Sequence, residues 1–177
     1  MNRRALVAPL ALLVLLPVSV YVSYHPKLDS LRSGLPMEVR RVPPGAEASY
    51  GPATWRLHDV TSTARVRTDK WDATAPPTGA WVVARFSYHL NAAPPNEYWC
   101  EVTFTDDQNR RFEIESGTAV AGRPAACSGE ERQRPRVGDD FSFTVVALVP
   151  KDAAGEVRPR VVIRTEQPDA LEFSRPG

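Results

Sequence analysis

Cysteine and histidine are scarce in this sequence, with two of the first and three of the second in 177 residues. There is no CxxC, and His25, His58 and His89 show no ligand spacing, which argues against a zinc site. GxSxG, HExxH and Walker-type loops are also missing. A nucleophile needs a base within hydrogen-bond reach and a third group to orient it. His58 and Asp59 are neighbours, so on a regular strand their side chains point to opposite faces. The sequence thus predicts no enzyme, no catalytic residue, no metal and no cofactor. An excess of one charge sign is lacking too. The chain carries a net charge of +1, and without Arg3 and Arg4 it has 20 basic residues against 21 acidic ones. A nucleic-acid binder normally carries a clear basic excess, so that class is disfavoured.

The most informative absence is local. From Ala5 to Tyr24, "ALVAPLALLVLLPVSVYVSY" contains no charged side chain. A helix of that length rises about 30 Å, enough to cross a bilayer core. The apolar stretch of a cleaved signal peptide is shorter, roughly 7–15 residues, and ends at small residues in alternate positions. Here Pro17 precedes Ser19 by two places and Tyr21 precedes Ser23, so neither serine marks such a site. The run predicts a retained transmembrane anchor over residues 1–24. If it is cleaved instead, the protein is secreted. Arg3 and Arg4 before it keep the N-terminus cytoplasmic and place the rest outside the plasma membrane.

Residues 25–48 are polar and punctuated by Pro26, Pro36, Pro43 and Pro44, which predicts a semi-extended linker. Within it, Leu28, Leu31 and Leu35 allow a short amphipathic turn. The two cysteines, Cys100 and Cys127, would then lie in an oxidising compartment, where a bridge between them is the default. Two buried thiols or half of a metal site are the alternatives.

Residues 49–177 read as one extracytoplasmic domain. Proline, 17 in all, argues against a helical bundle, because it costs about 3 kcal/mol inside a helix. The apolar period is two. In "AWVVARFSYHL" the core face is Val82, Ala84, Phe86, Tyr88 and Leu90. In "WCEVTFTDD" it is Cys100, Val102 and Phe104, with Glu101, Thr103 and Thr105 facing out. "RFEIE" adds Phe112 and Ile114, and "DDQNR" between them is a hairpin turn with Asn109 suited to a left-handed backbone. "DFSFTVVALVP" contributes Phe141, Phe143, Val145, Ala147 and Val149. "RPRVVIR" contributes Val161 and Ile163, and "TWRLHDV" contributes Trp55, Leu57 and Val60. Short strands joined by Pro, Gly and Asp turns predict a mainly β protein, an antiparallel β-sandwich.

The run "TGAWVVARFSYHL … WCEVTFTDDQNRRFEIES … VGDDFSFTVVALVP" resembles the DUF4352-type, telokin-like extracellular domains of bacterial envelope proteins and lipoproteins. Phe104, Asp106, Asp107 and Phe112 stand at the turn positions of that pattern. Val137, Gly138 and Phe143 stand before and within the later strand. Asn109 occupies a place where the family usually has glycine. The resemblance covers about Trp55 to Ile163. It implies an immunoglobulin-like sandwich with binding or assembly roles and no catalytic residues.

Three surfaces are candidates for contact. Arg158, Arg160 and Arg164 share one strand face with Val162, a basic stripe that would suit anionic lipid or a wall polymer. Arg132, Arg134 and Arg136 repeat in the same way. Trp71, Trp81 and Trp99 lie near proline-rich loops, and aromatic anchors dominate interfaces. Asp106, Asp107, Asp139 and Asp140 are turn aspartates that either cap their own backbone or, if two loops converge, hold calcium. The expected function is that of a membrane-anchored interaction protein with a protein partner in the cell envelope, an accessory component of a complex. The alternative is a module binding anionic lipid or wall polymer.

Overall fold

The computed structural model describes residues 38–68, 70–95, 99–115, 123–124, 126–129 and 134–175. The uncharged run, the leucine turn and Arg132 lie outside the described residues. The described residues form a β-sandwich with eleven strands. One sheet holds β1 (Glu38–Val42), β11 (Asp169–Phe173), β10 (Arg158–Ile163), β7 (Cys100–Thr105) and β8 (Arg111–Glu113), in that spatial order. The other holds β2 (Glu47–Tyr50), β3 (Ala53–Thr63), β6 (Gly79–Leu90) and β9 (Asp140–Pro150). A separate hairpin is made by β4 (Arg65–Arg67) and β5 (Asp72–Thr74).

The period-two pattern explains the core. Val82, Ala84, Phe86, Tyr88 and Leu90 of β6 are all buried, as are Phe143, Val145, Ala147 and Val149 of β9. Val102, Phe104, Val161 and Ile163 meet them from the other sheet. Burying one large apolar side chain contributes about 1.5–3 kcal/mol. Trp55 lies among rings, with centroids 4.8 Å from Tyr88, 5.4 Å from Trp99 and 6.3 Å from Phe143. Its indole N–H donates to the Tyr50 carbonyl at 3.1 Å. Beside this cluster Cys100 and Cys127 form a disulfide, and the Tyr88 hydroxyl donates to the Cys127 carbonyl at 2.7 Å.

Three expectations need correction. The linker does not extend to residue 48, because Glu38–Val42 and Glu47–Tyr50 are strands and Val42 is buried in the core. The pairing is not wholly antiparallel, because β1 runs parallel to β11. His58 and Asp59 do not face opposite ways. The register of β3 against β6 shifts between Leu57 and Asp59, a β-bulge that inserts one residue. Leu57 and Val60 therefore both point inward, while His58 bonds Ser87 and Asp59 bonds Arg85 on the outer face. Thr103 and Thr105 face outward on β7 as expected, and both are buried there.

The hairpin between β7 and β8 follows the sequence closely. Asn109 has φ 63°, the left-handed conformation its short polar side chain tolerates. Asp106 Oδ1 accepts from the backbone N–H of Gln108 at 3.0 Å and of Arg110 at 2.9 Å. Asp139 likewise accepts from the Arg136 N–H at 3.0 Å. These turn aspartates cap their own backbone.

Candidate functional site: a charged groove on the five-stranded sheet

Strand register lines up a row of polar residues across the outer face of the five-stranded sheet. Arg41 on β1 is opposite Glu172 on β11, Glu172 is opposite Arg160 on β10, and Arg160 is opposite Thr103 on β7. Thr103 is in turn opposite Glu113 on β8. Directly opposed side chains of unlike charge attract across a sheet.

Glu172 is the centre of this row and is buried, with 3% of its surface exposed. Its Oε1 accepts from Arg158 Nε at 3.0 Å. Its Oε2 accepts from Arg160 Nη2 at 2.7 Å and from the Thr105 hydroxyl at 3.0 Å. Arg41 Nε stands 3.6 Å from Oε1. Burial alone would push the Glu172 carboxyl up. The hydrogen bonds from Arg160 and Thr105 and the charges of Arg160 and Arg158 outweigh it and hold the carboxyl below its usual range.

The turn of the β7–β8 hairpin forms the far wall. Asp107 Oδ1 meets Arg158 Nη1 at 2.5 Å. Together Val39, Arg41, Arg158, Arg160, Glu172 and residues 106–109 line an open groove of about 720 Å³.

This arrangement changes the reading of the arginines. Arg158 and Arg160 are not a free basic stripe, because Glu172 and Asp107 take up their charges. Arg164 leaves the strand for a 3-10 turn, Arg164–Glu166, and is exposed. The structure brings Arg158 and Arg160 together with Arg41, not with Arg164. Neither Arg41 nor Glu172 stood out in the sequence, the first because it lay in a proline-punctuated stretch read as linker. Glu172 had one visible signal, the alternation of Ala170 and Glu172 with the core residues Leu171 and Phe173.

The aromatic candidates separate in a similar way. Trp99 and Trp81 are buried, at 1% and 7% exposed. Trp81 belongs to a small second cluster with Val66 and Val146, over which the β4–β5 hairpin folds. Trp71 is half-buried against Trp81, their ring centroids 5.2 Å apart. Trp71 and Trp81 fasten the hairpin to the four-stranded sheet, and Trp99 packs in the main core, so the three form no open aromatic surface.

On the outer face of the four-stranded sheet, His58 Nε2 lies 2.8 Å from Ser87 Oγ. Burial, with Arg56, Arg123 and Arg85 around it, lowers the imidazole's proton affinity. Asp59 beside it is held by Arg85. The pair therefore has a base next to a hydroxyl but no carboxylate bonded to the imidazole. Among the described residues no group of three or more His, Cys, Asp or Glu converges as metal ligands would.

No protein-family model and no curated protein matches this chain. Two solved structures share its fold. A conserved hypothetical protein from Bacillus anthracis aligns with a TM-score of 0.51 at 11% identity, over 70% of this chain and 92% of that one. An uncharacterized β-sandwich protein from Clostridium difficile 630 aligns with a TM-score of 0.51 at 4% identity, over 78% and 95%. At such identities the likeness concerns the β-sandwich alone.

Proposed function

We propose that the chain is a single-pass envelope protein, with its N-terminus in the cytoplasm and its sandwich outside the plasma membrane. There the sandwich binds a protein partner as an accessory component of a membrane or wall complex. The observation that carries this reading is the Cys100–Cys127 bridge, because disulfides persist in oxidising compartments and are rare in the cytosol. The uncharged run from Ala5 to Tyr24 supplies the length a membrane crossing needs. Two packed sheets with tryptophans and a tyrosine gathered beside the bridge support an immunoglobulin-like, telokin-like description. Binding is the role such a sandwich serves here, since the chain carries no catalytic signature. Neutralisation of Arg158 and Arg160 within the fold weighs against a lipid- or polymer-binding stripe.

External protease added to intact spheroplasts tests the placement. The proposal expects loss of the sandwich while a cytoplasmic marker survives. Full protection until lysis contradicts it. Crosslinking in cells followed by purification through the sandwich expects one specific membrane or wall protein.

A further inference from the structure

The groove over Glu172 holds more cationic donors than its carboxylates can use. Three guanidinium groups, from Arg41, Arg158 and Arg160, converge on one carboxylate with about four lone-pair sites. Three of those sites already accept from Arg158, Arg160 and Thr105. Asp107 takes one end of Arg158, and Asp106 is taken by Arg110 Nε at 2.5 Å. The groove and the pair beneath it thus carry four guanidinium groups against three carboxylates. Arg160 Nε is buried with no hydrogen-bond partner. Arg41 remains 77% exposed and only loosely held, at 3.6 Å from Glu172. The nearest other carboxylate in the row, Glu113, stands two strands beyond Arg160.

We propose that this groove binds a small ligand through one oxyanion group, a carboxylate or a phosphate, held chiefly by Arg41 with the remaining N–H groups of Arg158 beside it. Guanidinium–oxyanion bonds are charge-assisted and often bidentate, which gives direction as well as strength. Gln108 and Asn109, on the groove's turn wall, offer amides to the remainder of the ligand. The volume, about 720 Å³, is in the range that small-molecule sites occupy. Glu172 does not compete for the ligand. It fixes Arg158 and Arg160 in place and leaves Arg41 as the adjustable jaw. The site stands whether or not residues 1–24 are retained, so its failure and failure of the membrane placement are separable.

The test uses the full chain, isotope-labelled and purified in non-ionic detergent. The arginine Nε–H resonances are followed while N-acetylglycine or glycerol phosphate is added. N-acetylglycinamide and sodium chloride serve as controls. The expected result is saturable, one-to-one shifting of the Arg41 and Arg158 signals by at least one oxyanion, weakened about tenfold in R41A and only partly restored in R41K, which keeps the charge but not the guanidinium fork. A response to N-acetylglycine alone assigns a carboxylate, and a response to glycerol phosphate alone assigns a phosphate. Arg41 is exposed, so both variants should keep the wild-type urea midpoint, which is measured alongside. Overturning results are equal shifts with chloride, no saturation below about 100 mM, or undiminished binding in R41A.

Discussion

Arg160 donates a 2.7 Å hydrogen bond to Glu172, and both stand on the outward face of their sheet, where a sandwich normally meets water. Long guanidinium side chains from β10 close over the carboxylate, so a charged residue becomes as buried as the core. Removing one partner of such a pair leaves the others uncompensated. Glu172→Ala should therefore destabilise the domain by about 3 kcal/mol, read from urea denaturation. Thr105→Val, which removes one neutral donor from that buried carboxylate, should cost about 1.5–3 kcal/mol.

The same carboxyl sets a pH dependence. Its folded-state affinity for a proton is lower than the ordinary value of 4.5, so it stabilises the fold above that pH. The contribution should fade as pH drops through the folded value, and stability measured from pH 6 downward should fall below about pH 4.5. Asp106, also held low, fades in the same direction. Glu172→Gln should flatten part of this acid limb.

An opposite limb comes from Tyr88. Burial pushes its phenol well above the ordinary 10.0. The folded state resists ionisation, so stability is full below pH 10 and declines as pH rises beyond it. Tyr88→Phe should remove that share of the alkaline decline. At neutral pH it should cost about 1–2 kcal/mol, because the buried Cys127 carbonyl loses its donor.

Gly51 tests the edge of the sandwich. It has φ 56°, and a Cβ there would stand 2.5 Å from Ile163 Cδ1. Gly51→Ala should cost about 1–3 kcal/mol in thermal or urea unfolding. Asn109→Gly, at another left-handed position, should be neutral within about 0.5 kcal/mol.

Alternation made the inner faces legible. Phe86 and Phe143, which stack at 5.2 Å, each sit in a run whose every second residue is apolar. Asn109 and Asp106 announced their turn by chemistry that acts within a few residues. The bulge at His58 was only half legible: "WRLHDV" marks Val60 as core, but parity alone puts His58 and Asp59 on opposite faces because it does not show where an extra residue enters. The groove was hidden for a different reason. Its parts come from positions 41, 107, 158, 160 and 172, and only the order of β1, β11, β10 and β7 brings them together. Arg158 and Arg160 looked like a free stripe because period two reports which face a side chain takes, not what stands on the neighbouring strand. Arg164, two residues beyond Val162, shares their parity but not their strand.

The bridge itself predicts a stability effect. It closes a separation of 27 residues, for which loop entropy gives about 3–4 kcal/mol. Cys100→Ser with Cys127→Ser should lower the unfolding free energy by about that amount, and reductant should have no further effect on the double variant.

Placement outside the cytosol is the claim on which the proposed role depends most. Its most direct measurement is the intact mass of the protein from cells quenched in acid and alkylated under denaturing conditions before any reduction. The account predicts a membrane-fraction species retaining residues 1–24, with neither Cys100 nor Cys127 alkylated. A soluble species with both thiols alkylated would contradict it.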